Sequence, residues 1–347
     1  MRAPRQPPPG ASSRGANGAQ RQESASEAAP RRPSKQRALL PGEDDWRRRH
    51  PGAPHIKNEG AATRPDAAWA PTLEAGACHV WSVPLEQPAH VQAALAAHLS
   101  EEEKQHMQAL RRPELRSRYA VAHGALRVLL GRYLGVAPQL CRYATGPRGK
   151  PMLAGAYPAM AVDDAPAPGA RTCPGSESTL HFNMSHAGTQ ALIAVARGVE
   201  VGVDIEQRRD MDDMAGVART ILSHADLDLW LALPEAQRVQ AFYAIWTRKE
   251  AVSKAAGTGL YMDFPGLSVE FRPGRPAAVR RIEAAFGKPG EWLLAELDCA
   301  PGYSAALAAR TPALRVSRHT ARMGEDGTAD VDADADAAAS SDPAPPV

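Results

Sequence analysis

Asp204 and Glu206 lie two residues apart in the stretch VEVGVDIE, where Val199, Val201, Val203 and Ile205 alternate with them. Read as a strand, this period of two puts both carboxylates on one face, beside Gly202, which leaves room. Like charges about 4 Å apart repel by roughly 4 kcal/mol at an effective dielectric near 20, so holding both in a cleft calls for a cation. A solvated strand end is the plainer alternative. The stretch FYAIWTRKEAVSKAAG supplies a second pair, because Trp246, Glu250 and Lys254 recur every four residues and form one row on a helix. Alone, Glu250 and Lys254 read as a surface ion pair worth roughly 0.3–0.5 kcal/mol. If Glu250 joins Asp204 and Glu206, however, three carboxylates select a hard divalent cation such as Mg²⁺. Lys254 can then meet a phosphate as a point charge. That combination suits phosphoryl transfer, in which positioning and charge stabilisation supply most of the catalysis. The chain has no Gly-x-x-x-x-Gly-Lys-Ser/Thr loop, so a Walker-type nucleotide site is unsupported.

GVDIE (202–206) and WTRKEAVSK (246–254), some forty residues apart, follow two further short motifs, GPRGKP (146–151) and FNMSHA (182–187). In this order the four resemble the signature of the 4′-phosphopantetheinyl transferases, in the larger monomeric form that serves polyketide and nonribosomal peptide synthetases. The resemblance covers about 76–312. It implies transfer of the phosphopantetheine arm of coenzyme A to a serine of an acyl or peptidyl carrier protein, with release of adenosine 3′,5′-bisphosphate. It further implies that Asp204, Glu206 and Glu250 bind Mg²⁺, that Lys254 contacts the pyrophosphate, and that Glu250 deprotonates the attacking serine, directly or through water. Gly149, Lys150 and Pro151 match the stretch at the adenosine. Ser185, His186 and Arg118 match positions at the 3′-phosphate, where His186 is expected to offer an imidazolium to a dianion. Three departures touch none of these residues: Ala187 where Ser is common, a long segment between Pro151 and Phe182, and Asp226 where Glu is frequent. Two rivals stay open. A Mg²⁺-dependent nuclease would place its acidic and basic residues two apart on a strand, unlike Glu250 and Lys254, and a non-catalytic coenzyme A-binding regulator would keep only the pocket.

The elements that must carry these residues are legible in outline. Ser100 with Glu103 is a capping box opening one helix. A longer helix follows, with Leu115, Tyr119, Ala122, Leu126, Leu129 and Tyr133 at helical spacing and Gly135 at its stop. Arg118 and Arg127, nine apart, point to opposite sides of it, which leaves Arg127 a structural or surface residue. LHFNMS alternates Leu180, Phe182 and Met184 with His181, Asn183 and Ser185, and QALIAVA reads as a strand buried on both faces. A helical region over 213–256 precedes short strands in LSVEF, WLLAEL and YSAALAA. Helices and hairpins in separate blocks predict an α+β fold. Two similar subdomains in a pseudo-two-fold arrangement are expected, each a small antiparallel sheet packed with a helix, with coenzyme A in the cleft between them.

Composition sets the limits of this core. The chain has 347 residues, 31 of them Pro and 28 Gly, unevenly spread. Residues 1–75 form a basic, Pro- and Arg-rich tail of disordered character, and 316–347 an acidic, Ala-rich one. The transferase subdomains are expected at 76–198 and 199–315, with 155–179 as a surface insertion. A net charge of +2 gives no global footprint for nucleic acid. Cys78, Cys141, Cys173 and Cys299 have no metal-ligand spacing and read as reduced thiols. No apolar run approaches the ~20 residues needed to span a bilayer. A cytoplasmic monomer without a membrane partner is the expectation.

Overall fold

The computed structural model describes residues 72–154, 157 and 179–331. In chain order the first part contains β1 (Ala77–Pro84), α1 (Ala89–Ala97), α2 (Glu101–Ala109), α3 (Pro113–Leu134), β2 (Tyr143–Thr145), β3 (Pro151–Leu153), β4 (Leu180–Ala187) and β5 (Gln190–Arg197). There follow β6 (Val201–Gln207), α4 (Met214–Ile221), α5 (His224–Leu231), α6 (Glu235–Ala255), β7 (Ser268–Val269), β8 (Val279–Arg281), β9 (Leu293–Glu296), β10 (Tyr303–Ala309), β11 (Arg315–Met323) and β12 (Ala329–Val331). The mixed α+β class follows directly from these elements.

Local signals account for the helix ends. The Ser100 side chain accepts the Glu103 backbone N–H, and the Glu103 carboxylate accepts the Ser100 N–H, so the capping box is complete. Pro113 opens α3, where its missing N–H costs nothing, and Gly135 closes it at φ 67°, a conformation that penalises any side chain.

The sheets position the site. One has the strand order β12-β11-β1-β5-β4 and the other β6-β10-β9. Alternation along each strand sorts the side chains into layers. Trp81, Val83, Ile193 and Val195 lie under α3. Cys78, Val80, Leu192 and Ala194, on the opposite face, meet Val201, Val203, Ile205 and Leu307 of the second sheet. Ala306 and Ala308 turn away from that seam and pack beneath α6 with Phe242, Trp246 and Val252. The layers therefore run helix, sheet, sheet, helix.

One expectation is corrected here. Composition predicts an acidic tail from 316, yet β11 pairs in parallel with β1, from Ala77 opposite Arg315 to Ser82 opposite Thr320, and β12 pairs with β11. The first sheet is accordingly mixed rather than antiparallel, and it closes only with residues from far beyond 198. Burial explains the placement: His319 stacks on Trp81 at 4.5 Å, while Ala321 and Ala329 enter the core under α3. Ending the chain after Ala313 is expected to uncover Trp81, worth roughly 2–3 kcal/mol of burial. Thermal denaturation should show the melting temperature falling by about 5–10 °C. An unchanged melting temperature would mean that β11 contributes nothing. Most of residues 1–75, the 155–179 insertion apart from Tyr157 and Thr179, and residues beyond 331 lie outside the described residues. Among the described residues no helix is long and apolar enough to cross a membrane.

Candidate active site

The site begins with a close approach of backbones. Gly202 of β6 lies directly beneath α6, and a Cβ there would overlap the Ala251 carbonyl oxygen and the Ala255 nitrogen and come within 2.9 Å of the Lys254 carbonyl carbon. Only a residue without a side chain lets the helix sit this low. The contact brings the second half of α6 onto the face of β6 that carries Asp204 and Glu206.

Asp204 is the hub. It is 1% exposed, and its Oδ1 accepts from Lys254 Nζ at 2.5 Å and from Ser185 Oγ at 2.9 Å. Lys254 Nζ also donates to Ser185 Oγ at 3.0 Å. Three elements, β4, β6 and α6, thus meet in one charge-assisted triangle. Removing one member of such a buried pair strands the other charge, typically at about 3–5 kcal/mol. Glu206 is half-buried and accepts a bond from the indole Nε1–H of Trp246 at 3.2 Å, so the tryptophan both fills the core and fastens its helix to the strand. Glu250, one turn before Lys254, is also 1% exposed.

The donor chemistry suits a hard cation, since the three acidic side chains offer only carboxylate oxygens. Among the described residues, no three His, Cys, Asp or Glu side chains converge as a preformed metal cage. The Lys254 ammonium supplies the counter-charge to Asp204 in this arrangement, where the helix read alone offers Glu250 as its ion-pair partner.

A row of side chains on β4 stitches the two sheets together. β4 and β6 belong to different sheets and share no backbone ladder. His181 pairs with Glu200 at 2.9 Å, Asn183 Oδ1 accepts the Val203 N–H at 2.8 Å, and Ser185 Oγ donates to Asp204. These residues alternate on one face, the polar face of LHFNMS. Asn183 satisfies an edge amide that would otherwise be left unpaired next to the reactive groups. The alternation in LHFNMS places Asn183 on this face, but nothing in the sequence marks its partner.

Lys150 follows Gly149, which turns the β2–β3 hairpin at φ 89°, and precedes Pro151. Its ammonium pairs with Glu200 and donates to the Val201 carbonyl at 3.1 Å and the Ala255 carbonyl at 3.5 Å. Arg118 instead pairs with Glu86 at 3.2 Å on the outer part of α3. Arg127 is a buried structural cation, as its opposite position on the helix predicts. Its guanidinium donates to Glu103 at 2.6 Å and to the Cys141 carbonyl at 2.9 Å. His186 is reached by solvent yet crowded by protein. Desolvation pulls its pKa down to about 4, and the nearby His123 and Lys254 add to the effect. With the pKa lowered this way the ring is neutral near pH 7, in place of the imidazolium expected from the sequence.

Two buried groups escaped sequence reasoning. Lys249 is fully buried, its ammonium held by the carbonyls of Ile221 at 2.7 Å and Phe264 at 2.8 Å, and burial lowers its pKa to about 7. Asp226, to which no role was given, accepts from Ser223 Oγ at 2.8 Å and Ser268 Oγ at 2.9 Å, tying α5 to β7. Nothing local distinguishes Lys249 from a surface lysine.

Comparison with known proteins points to one family. The model of the 4′-phosphopantetheinyl transferase superfamily matches residues 200–308, which include β6 and α6. The chain is 32% identical over 226 residues to the 4′-phosphopantetheinyl transferase HetI of Nostoc sp., spanning 65% of this chain and 84% of HetI. It is 33% identical over 134 residues to the 4′-phosphopantetheinyl transferase AcpT of Salmonella typhimurium, spanning 38% of this chain and 56% of AcpT. Against the 4′-phosphopantetheinyl transferase Sfp of Bacillus subtilis the identity is 26% over 132 residues, again spanning 38% and 56%.

Proposed function

Because this chain belongs to the 4′-phosphopantetheinyl transferase superfamily, we propose that the junction of β4, β6 and α6 is where it transfers the 4′-phosphopantetheine arm of coenzyme A to a carrier-protein serine. The observation that carries this placement is the buried triangle of Asp204, Lys254 and Ser185, with Glu250 one turn away on α6. Asp204, Glu206 and Glu250 are the residues to hold Mg²⁺. A bound divalent cation supplies charge stabilisation for the pyrophosphate oxygens. Lys254 exchanges its contact with Asp204 for the pyrophosphate and so brings a positive charge to the reacting group. Glu250 takes the proton of the carrier serine, directly or through water. The serine Oγ bonds to the β-phosphorus as the bond to the departing adenosine 3′,5′-bisphosphate breaks. Ser185, His186 and Arg118 serve the 3′-phosphate, where the ligand's charge raises the pKa of His186. The turn of Gly149, Lys150 and Pro151 lies at the adenosine end. The two helix-on-sheet halves are read as related by a pseudo-two-fold, and the enzyme as a cytoplasmic monomer.

Adenosine 3′,5′-bisphosphate released from coenzyme A in the presence of an apo carrier protein measures the reaction directly. Release is expected to stop when EDTA removes divalent metal and to return with added Mg²⁺. Undiminished release in EDTA would sink the metal assignment while leaving the transferase activity standing.

A further inference from the structure

At the end of the seam away from Asp204, Lys150 makes contacts that catalysis does not obviously need. Val201 is the first residue of β6 and Ala255 the last of α6, and the Lys150 ammonium donates to the carbonyls of both. The Ala255 carbonyl is one of those a helix leaves unpaired at its C-terminus, where a cation is also favoured by the helix dipole. One side chain thus joins the start of the strand that carries Asp204 and Glu206 to the end of the helix that carries Glu250 and Lys254. Lys254 is the immediate neighbour of Ala255. Asp204 lies three residues beyond Val201, about 10 Å along the strand.

Glu200 is the counter-ion, and it is itself held. Its carboxylate accepts from Lys150 on one side and pairs with His181 of β4 at 2.9 Å on the other. His181 stands on the same face of β4 as Asn183 and Ser185, so the clasp continues the row of side chains that ends at Asp204. The lysine side chain is only 11% exposed, whereas Glu200 is 41% exposed. Gly257, just past α6, lies beside the lysine stem, where a Cβ would make an ordinary 3.7 Å contact with Lys150 Cδ.

We propose that Lys150 and Glu200, braced by His181, form a positioning clasp that sets the register of α6 along β6 and acts on the transfer reaction without binding coenzyme A through the lysine ammonium. This rests on the transferase reading given above. A lysine that bound the ligand would present its charge to the site; this one spends its charge on a carboxylate and two backbone carbonyls. Gly202 permits the helix to descend onto the strand, and the clasp decides where along the strand it stops. A small slip there displaces Glu250 and Lys254 from Asp204 together.

Two measurements on the full chain test the clasp. In steady-state kinetics with coenzyme A, Mg²⁺ and an apo carrier protein, Glu200→Gln and Lys150→Met are each expected to lower kcat by roughly ten- to a hundredfold. KM for coenzyme A should change by less than about twofold, and the double variant should be no worse than the poorer single one, because both break one unit. In hydrogen exchange, the amides of 201–204 and 251–257 should exchange faster in both variants. Should Lys150→Met fail to fold, Glu200→Gln, at a partly exposed carboxylate, decides by itself. The proposal is overturned if Lys150→Met raises KM for coenzyme A with kcat unchanged, or if Glu200→Gln alters neither kcat nor exchange. Lack of turnover in the unsubstituted chain would count against the transferase reading instead, and exchange would still report on the clasp.

Discussion

Glu250→Gln is expected to lower the rate of phosphopantetheine transfer by roughly 10²–10⁴-fold, the usual range for losing a general base. The melting temperature should stay within a few degrees of the unsubstituted chain. Glutamine keeps the shape of a side chain that is 1% exposed and sits one turn from Lys254, so the packing of α6 is preserved while the proton acceptor and metal-ligand charge are lost. Asp204→Ala is a poorer probe than the sequence suggests. Its carboxylate holds Lys254 and Ser185 at once, and its removal takes the Asp204 counter-charge from a largely buried ammonium. About 3–5 kcal/mol of stability should go with the activity. Asp204→Asn retains the shape and separates the two effects better. Activity assays paired with thermal melts check both substitutions. Full turnover in Glu250→Gln would remove Glu250 from the catalytic machinery.

Gly202→Ala is expected to be nearly as damaging although it alters no charge. The added methyl group has backbone atoms of Ala251, Lys254 and Ala255 in its way, so no rotamer change can make room. The helix must lift or slide, and overpacking of this kind costs roughly 1–3 kcal/mol. The larger consequence is geometric, because a shift of about 1 Å at the reacting groups can cost on the order of 10²-fold in rate. A melt and a kcat measurement together check this. A variant with normal activity would show that the spacing of β6 and α6 tolerates more than the close contact implies.

How much of this could be read beforehand depends on the range of the interaction involved. The alternation in VEVGVDIE and LHFNMS places Asp204, Glu206 and Ser185 on the correct faces, because side-chain direction along a strand is a local property. The capping box at Ser100 and the stop at Gly135 are likewise local. The row of Trp246, Glu250 and Lys254 is helical as expected, and two of its members are held from outside the row. Lys254 reaches Asp204, and Trp246 reaches Glu206, both across to a strand some forty residues earlier. Such pairings depend on packing that no spacing encodes. The same holds for Lys249, a core cation in a stretch whose pattern offers no reason to bury it. The strand β11 escapes detection for a different reason: RVSRHTARM carries little apolar bulk, and the strand is held by its pairing with β1 and the His319–Trp81 stack, with Ala321 its one buried residue.

Incubating an apo carrier protein with this chain, coenzyme A and Mg²⁺, and weighing the intact carrier by mass spectrometry, tests the central claim most directly. The carrier should gain the mass of one phosphopantetheine group on its serine. The gain should be absent when that serine is replaced by alanine, and should fall sharply with Glu250→Gln. An unmodified carrier, across acyl and peptidyl carriers alike and with a folded enzyme, would contradict the account.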